Sequence, residues 1–134
     1  MNDIPTTLLS MKKQILIIED DIDLTKILKA ILEQNGYRVK VAFDGAEAFD
    51  MILKEVINLI VTDLKMNWIE GDIIVRLVKA HDKTRHIPIL VLTGLSPEEI
   101  AQYHLEGVET ILTKPVDTRL LLDKIKEAFL RPTA

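Results

Sequence analysis

The chain has 134 residues, the size of one ordinary domain, and 48% of them are apolar, which is enough to bury a core and excludes a disordered tail. There are 17 Lys and Arg against 21 Asp and Glu, a net charge of −4, so no basic excess favours nucleic acid as a direct partner. Cysteine is absent, which excludes disulfides, thiolate metal sites and cysteine nucleophiles, and no apolar run approaches the ~20 residues of a membrane span; the expectation is a cytoplasmic protein.

Residues 1–10 show no period and are expected to form a flexible arm, with residues 11–134 as a single domain. Met11-Lys12-Lys13 reads as a second possible start, directly before the first strand. Gln14 to Ile18 reads as a buried strand. Asp21 is placed to cap a helix whose Leu24, Ile27, Leu28, Ile31 and Leu32 form one apolar stripe, and Asn35-Gly36 ends it. Tyr37 to Ala42 predicts a second strand. Asp44 with Glu47 resembles a capping box opening a second helix through about Glu55. Asn58 to Thr62 predicts a third strand. A third helix is predicted from Asp72 to about His81, with Ile73, Ile74, Leu77 and Val78 inward. Pro88 to Leu92 predicts a fourth strand. Ser96-Pro97-Glu98-Glu99 is a strong helix start, and that short fourth helix is expected to stop at Gly107. Val108 to Thr113 predicts a fifth strand. Thr118 to Leu130 predicts the last helix, and Pro132 discourages its continuation.

Five βα units in succession mean parallel pairing, and continuously apolar strands mean cover on both faces. Right-handed crossovers then produce a doubly wound three-layer sandwich. In such sheets ligands bind outside the carboxyl ends of the strands, near the switch in strand order, which strands one and three would flank. Strand one ends in Glu19-Asp20-Asp21, strand three in Asp63, strand four in Thr93-Gly94 and strand five in Lys114-Pro115.

Singly, each has an ordinary explanation. Asp21 serves as an N-cap, Asp63 as a loop residue, Thr93 as a turn residue and Lys114 as a surface lysine. Together they are harder to dismiss. Carboxylates converging at Glu19, Asp20 and Asp63 repel one another and need a cation, and oxygen ligands suit Mg²⁺. Lys114 adds a fixed positive charge, Thr93 a hydroxyl, and Gly94 leaves room. These are the groups that phosphoryl transfer to an aspartate requires.

The motifs Ile-Leu-Ile-Ile-Glu-Asp-Asp at 15–21, Val-Thr-Asp-Leu-Lys-Met at 61–66 with Glu70-Gly71, Pro-Ile-Leu-Val-Leu-Thr-Gly at 88–94 and Thr-Lys-Pro at 113–115 resemble the receiver domain of bacterial two-component response regulators. The likeness runs from Lys12 to Leu130 and is specific as a set. It implies a flavodoxin-like (βα)5 fold with strand order 2-1-3-4-5. It also implies that Asp63 accepts a phosphoryl group from a sensor histidine kinase or histidine phosphotransfer protein. Mg²⁺ would be held by Glu19 (through water), Asp20, Asp63 and the backbone carbonyl of Lys65, with Asp21 ranked below them. Lys114 would pair with the phosphoryl group, across a cis Lys114–Pro115 peptide. Thr93 would bind a phosphoryl oxygen and shift, biasing the face made by the fourth helix, fifth strand and fifth helix.

Three positions depart from the family pattern. Ile111 stands where a switch aromatic is usual, which leaves repacking of an aliphatic chain or a part for Tyr103, itself read as a half-exposed helix tyrosine. Asn67-Trp68 replaces the usual proline, so the loop is expected to be flexible and Trp68 to cover it and report on Mg²⁺. Lys65 and Leu95 occupy two positions that tune dephosphorylation, and neither can orient an attacking water, so a long-lived phosphoaspartate is expected. His81, His86 and His104 lack ligand spacing and are expected at the surface.

The leading reading is a phosphorylation-controlled signalling module, not an enzyme beyond self-phosphorylation from small donors and autodephosphorylation. It is expected to carry no output domain in this chain and to act on an unknown downstream protein, as a monomer or a phosphorylation-dependent homodimer. A pseudo-receiver that only binds partners is the alternative. An aspartate-nucleophile phosphatase of the haloacid-dehalogenase type ranks lower, because it needs a second Asp where Lys65 stands. Nucleotide binding ranks last, since no glycine-rich loop follows a strand.

Overall fold

A computed structural model describes residues 12–66 and 69–131. The expected arm at 1–10, Met11, Asn67, Trp68 and Pro132 lie outside the described residues. Strands β1 (Gln14–Ile18), β2 (Arg38–Ala42), β3 (Leu59–Thr62), β4 (Ile89–Thr93) and β5 (Thr110–Thr113) alternate with helices α1 (Ile22–Gln34), α2 (Gly45–Lys54), α3 (Gly71–Ala80), α4 (Pro97–Ile100) and α5 (Thr118–Leu130). The strands form one parallel sheet in the order β2-β1-β3-β4-β5, the flavodoxin-like arrangement.

Every residue of β1, β3 and β4 is buried, as strands covered on both faces must be. The period of two sends alternate side chains to opposite faces. Ile15 and Ile17 pack with Leu28 and Leu32 of α1 and Leu121 and Ile125 of α5. Leu16 and Ile18 pack with Ile52 of α2 and Ile74 and Val78 of α3. The edge strands are wetter: only Leu112 of β5 is buried. Among the described residues no helix is long and apolar enough to cross a membrane.

Helix caps follow the sequence closely. Leu24 N–H donates to Asp21 at 3.1 Å, and Glu47 N–H to Asp44 at 2.8 Å. Gly36 ends α1 with φ of 90°, a left-handed conformation that glycine adopts without steric cost.

Three expectations are corrected. Ile27 is 54% exposed, while Thr25 is buried. The inward arc of α1 runs through Thr25, Leu28 and Leu32, and the Thr25 hydroxyl donates to Ile22 O at 2.6 Å, so its polar atom reaches the core already satisfied. On α3, Ile73 points outward and Val75 inward, because the helix packs along Gly71, Ile74, Val75 and Val78. The fourth helix does not reach Gly107. Its capping box fixes one turn, through Ser96 N–H to Glu99 at 3.0 Å and Glu99 N–H to Ser96 at 3.2 Å. None of its residues is buried, so nothing extends so short a helix. The chain continues as turns through Gly107 (φ 88°). Strand β5 accordingly starts at Thr110 rather than Val108.

Candidate functional site

The strand ladder carries the polar residues to one edge. Each pairing continues one residue past the strands: Glu19 N–H donates to Ala42 O at 3.0 Å, Asp63 N–H to Ile18 O at 3.1 Å, and Lys114 N–H to Thr93 O at 2.8 Å. The backbones of Glu19, Asp63 and Lys114 are therefore fixed by the sheet before any side-chain chemistry is considered. The Lys114–Pro115 peptide is cis.

Carboxylate oxygens of Glu19, Asp20 and Asp63 lie within 4.8 Å of one another. Glu19 and Asp63 are buried, at 3% and 8% exposure, whereas Asp20 is exposed. The Lys114 ammonium joins the two buried acids, 2.6 Å from Glu19 Oε1 and 3.0 Å from Asp63 Oδ2. Their remaining oxygens accept backbone N–H groups: Asp21 N–H to Glu19 Oε2 at 3.1 Å and Leu64 N–H to Asp63 Oδ1 at 2.6 Å.

Burial raises the Glu19 carboxyl above its usual range, against the lowering effect of Lys114 and the Asp21 amide. For Lys114 burial works toward a lower value, but hydrogen bonds to Glu19 and Asp63 outweigh it and hold the ammonium above its usual range. The lysine is thus a fixed cation, and among the described residues it is the one compensating charge in contact with the acidic cluster. Three convergent oxygen donors, one of them open to solvent, fit a hard divalent cation.

Thr93 is buried, and its hydroxyl accepts the Leu95 N–H at 3.3 Å rather than bonding Asp63. Lys65 follows Asp63 by two residues with its side chain exposed. Asp21 is spent on capping α1. Ile111 is 40% exposed on β5. Tyr103 is half-buried but lies beyond α4, not on it. Burial first, then the Glu70 carboxylate, push the Tyr103 hydroxyl pKa above its ordinary value. His81, His86 and His104 are exposed.

One residue's role escaped the sequence reading. A Cβ on Gly71 would stand 2.0 Å from the Asp63 carbonyl oxygen. Gly71 N–H also donates to Leu64 O at 2.9 Å, so the start of α3 is pressed onto the backbone that carries Asp63. Glycine eight residues after an acidic strand end was the available signal, but spacing alone carries no information on approach distance.

The family model for the response regulator receiver domain matches residues 15–126. The chain is 36% identical over 119 residues to transcriptional regulatory protein CpxR of Escherichia coli (strain K12), covering 88% of this chain and 49% of that protein. It is 31% identical over 123 residues to the probable transcriptional regulator ycf29 of Porphyra purpurea, covering 90% and 58%. The chain spans about half the length of these curated relatives. Among solved structures, the signal receiver domain of a signal transduction histidine kinase from Syntrophus aciditrophicus superimposes with a TM-score of 0.82 at 30% identity, over 91% of this chain and 95% of that one. Chemotaxis response regulator CheY4 of Vibrio cholerae does so at 0.80 and 28%, over 88% and 99%.

Proposed function

Because this chain belongs to the response regulator receiver domain family, we propose that residues 11–134 act as one phosphorylation-controlled receiver with Asp63 as its acceptor. The observation that carries this reading is the Lys114 ammonium bridging Glu19 and Asp63 beside exposed Asp20.

An Asp63 carboxylate oxygen attacks phosphorus on a phosphohistidine of a sensor kinase or phosphotransfer protein. A P–O bond forms, the P–N bond breaks, and the imidazole leaves. Glu19 (through water), Asp20, Asp63 and the Lys65 backbone carbonyl would hold Mg²⁺, which would supply charge neutralisation. Lys114 is already 3.0 Å from Asp63 Oδ2 and follows the new negative charge onto the phosphoryl oxygens. The Thr93 hydroxyl leaves the Leu95 amide to donate to the phosphoryl group. That exchange pulls directly on Leu95-Ser96 and so on α4, a single turn with no buried residue. An element so weakly anchored is easily repositioned, which makes the α4-β5-α5 surface the switched one, read by a downstream protein or by a second copy. With Lys65 in the place of an acid–base aspartate, no phosphoester turnover is expected.

The test is intact mass after incubation with Mg²⁺ and acetyl phosphate. One phosphoryl adduct is expected on the wild type and none on Asp63→Asn. The variant should stay folded, because Lys114 keeps its 2.6 Å contact with Glu19. No adduct on the wild type under trapping conditions would leave a partner-binding pseudo-receiver instead.

Lys65 and Leu95 provide no group to orient an attacking water, so the phosphoaspartate is expected to be long-lived. Leu95→Glu should shorten its half-life about tenfold, short of a fully positioned base. An equal or longer half-life by mass or radiolabel decay would refute this account of its lifetime.

A further inference from the structure

We propose that the cleft at the opposite, N-terminal edge of the sheet binds a small anion carrying several phosphate groups. Lys13 precedes β1, Asn58 precedes β3, Pro88 precedes β4 and Glu109 precedes β5, and all four line a cleft of about 660 Å³. That is within the size range of small-ligand sites. Strands of four to five residues put it on the order of 15 Å from Asp63, so it is independent of the phosphoacceptor.

Its chemistry is opposite to that of the acidic edge. Lys13, Lys79, Arg85 and Arg131 line it with His86, and Glu109 is the one carboxylate among its described lining residues. That carboxylate already bonds Arg131. Basic residues gather at helix C-termini for dipole reasons, but this accounts neither for Lys13 and Arg85, which lie outside helices, nor for the placement of Lys79. The Lys79 ammonium is partly buried and donates to two neutral carbonyls, Arg85 O at 3.0 Å and Ile87 O at 2.9 Å. Burial lowers its proton affinity, with Glu109 the charge that opposes the shift. A cation held in place, desolvated and shared with one already engaged carboxylate is undercompensated, and a bound anion supplies the missing charge.

The other cations are also positioned rather than loose. Lys13 stands 5.8 Å over the Phe129 ring, and Arg131 is fixed by Glu109. Their preorganisation lowers the entropic cost of binding. Arginine forks with lysine point charges match phosphate oxygens; Arg131 is paired with Glu109 and Arg85 with exposed Asp82, and Lys13 and Lys79 together call for a ligand with more than one negative charge.

The test is a titration of the ¹⁵N-labelled wild type with sodium tripolyphosphate at low salt and without divalent cations, read from amide shifts. Saturable shifts are expected at Asn58, Lys79, Arg85, Glu109 and Arg131, with none at Glu19 or Asp63. Arg85→Gln removes an exposed side chain whose partner is the still more exposed Asp82, so the fold should persist; Kd should rise about 3- to 10-fold. Arg119→Gln, on an exposed position at the start of α5, should leave it unchanged. Inorganic phosphate should bind about tenfold more weakly or worse. Absent saturation, a Kd indifferent to Arg85→Gln, or equal binding of inorganic phosphate would each overturn the assignment.

Discussion

Lys114→Met is expected to destabilise the fold by about 2–3 kcal/mol at pH 7 without divalent cations, seen as a fall in Tm of about 7–10 °C. The Glu19 and Asp63 side chains are only 4% and 10% exposed, and the ammonium is the one cation bonded to either among the described residues. Removing it leaves two buried carboxylates facing each other, the costly half of a broken buried pair. The lysine itself is 24% exposed, which keeps the expected cost below the upper end for such losses. The pH dependence fixes the cause. Glu19 binds its proton more tightly folded than unfolded, chiefly through burial. Over the range between its ordinary and its raised value the folded state therefore holds more protons, and stability rises as pH falls. Loss of Lys114 removes the strongest effect opposing that rise, so the variant's deficit should shrink between pH 7 and pH 5 in thermal melts. Added Mg²⁺ should recover more stability in the variant than in the wild type, because binding to the folded state alone stabilises it. A deficit that grew on acidification, or that Mg²⁺ left untouched, would mean that Lys114 acts by packing its aliphatic stem.

The Lys114 contact also marks where sequence reading stops. That Glu19, Asp20, Asp63, Thr93 and Lys114 would share one edge was legible, because each directly follows an apolar run and parallel strands end on the same side. The pairing of Lys114 with both acids was not. Strand ends specify an edge, while hydrogen-bond partners depend on side-chain reach across β3 and β4, which no local pattern encodes. The fold divides in the same way. Strands β1, β3 and β4 were legible because burial on both faces leaves continuous apolar runs. Ile27 and Ile73 were misplaced because an apolar stripe limits a helix's rotation only to within about a residue, and a threonine satisfied by its own helix can take the inward place. The fourth helix was overextended because a capping box marks where a helix starts and says nothing of where packing ceases to support it.

Gly71→Ala is expected to destabilise by about 3 kcal/mol, although alanine is the better helix former by about 1 kcal/mol. The added Cβ would lie 2.0 Å from the Asp63 carbonyl oxygen, 3.0 Å from its carbon and 3.1 Å from Leu64 Cα. All three are backbone atoms, so no side chain can rotate away. The carbonyl cannot swing freely either, since it accepts the Thr62 hydroxyl at 2.8 Å while the Asp63 amide is tied to β1 at 3.1 Å. Relief must come from lifting the start of α3, which breaks the 2.9 Å bond from Gly71 N–H to Leu64 O and moves the residue carrying the acceptor carboxylate. Phosphorylation from acetyl phosphate should therefore slow along with the fall in urea midpoint. Two other glycines separate clash from other causes. Gly36→Ala meets open space but a φ of 90°, so it should cost about 1 kcal/mol, from backbone strain alone. A Cβ on Gly94 would touch only Lys114, at 3.9 Å, and Gly94→Ala should be nearly neutral for stability. If Gly71→Ala proved as mild as Gly94→Ala, the start of α3 would be free to move, and the close approach could not be what holds Asp63 against Lys114.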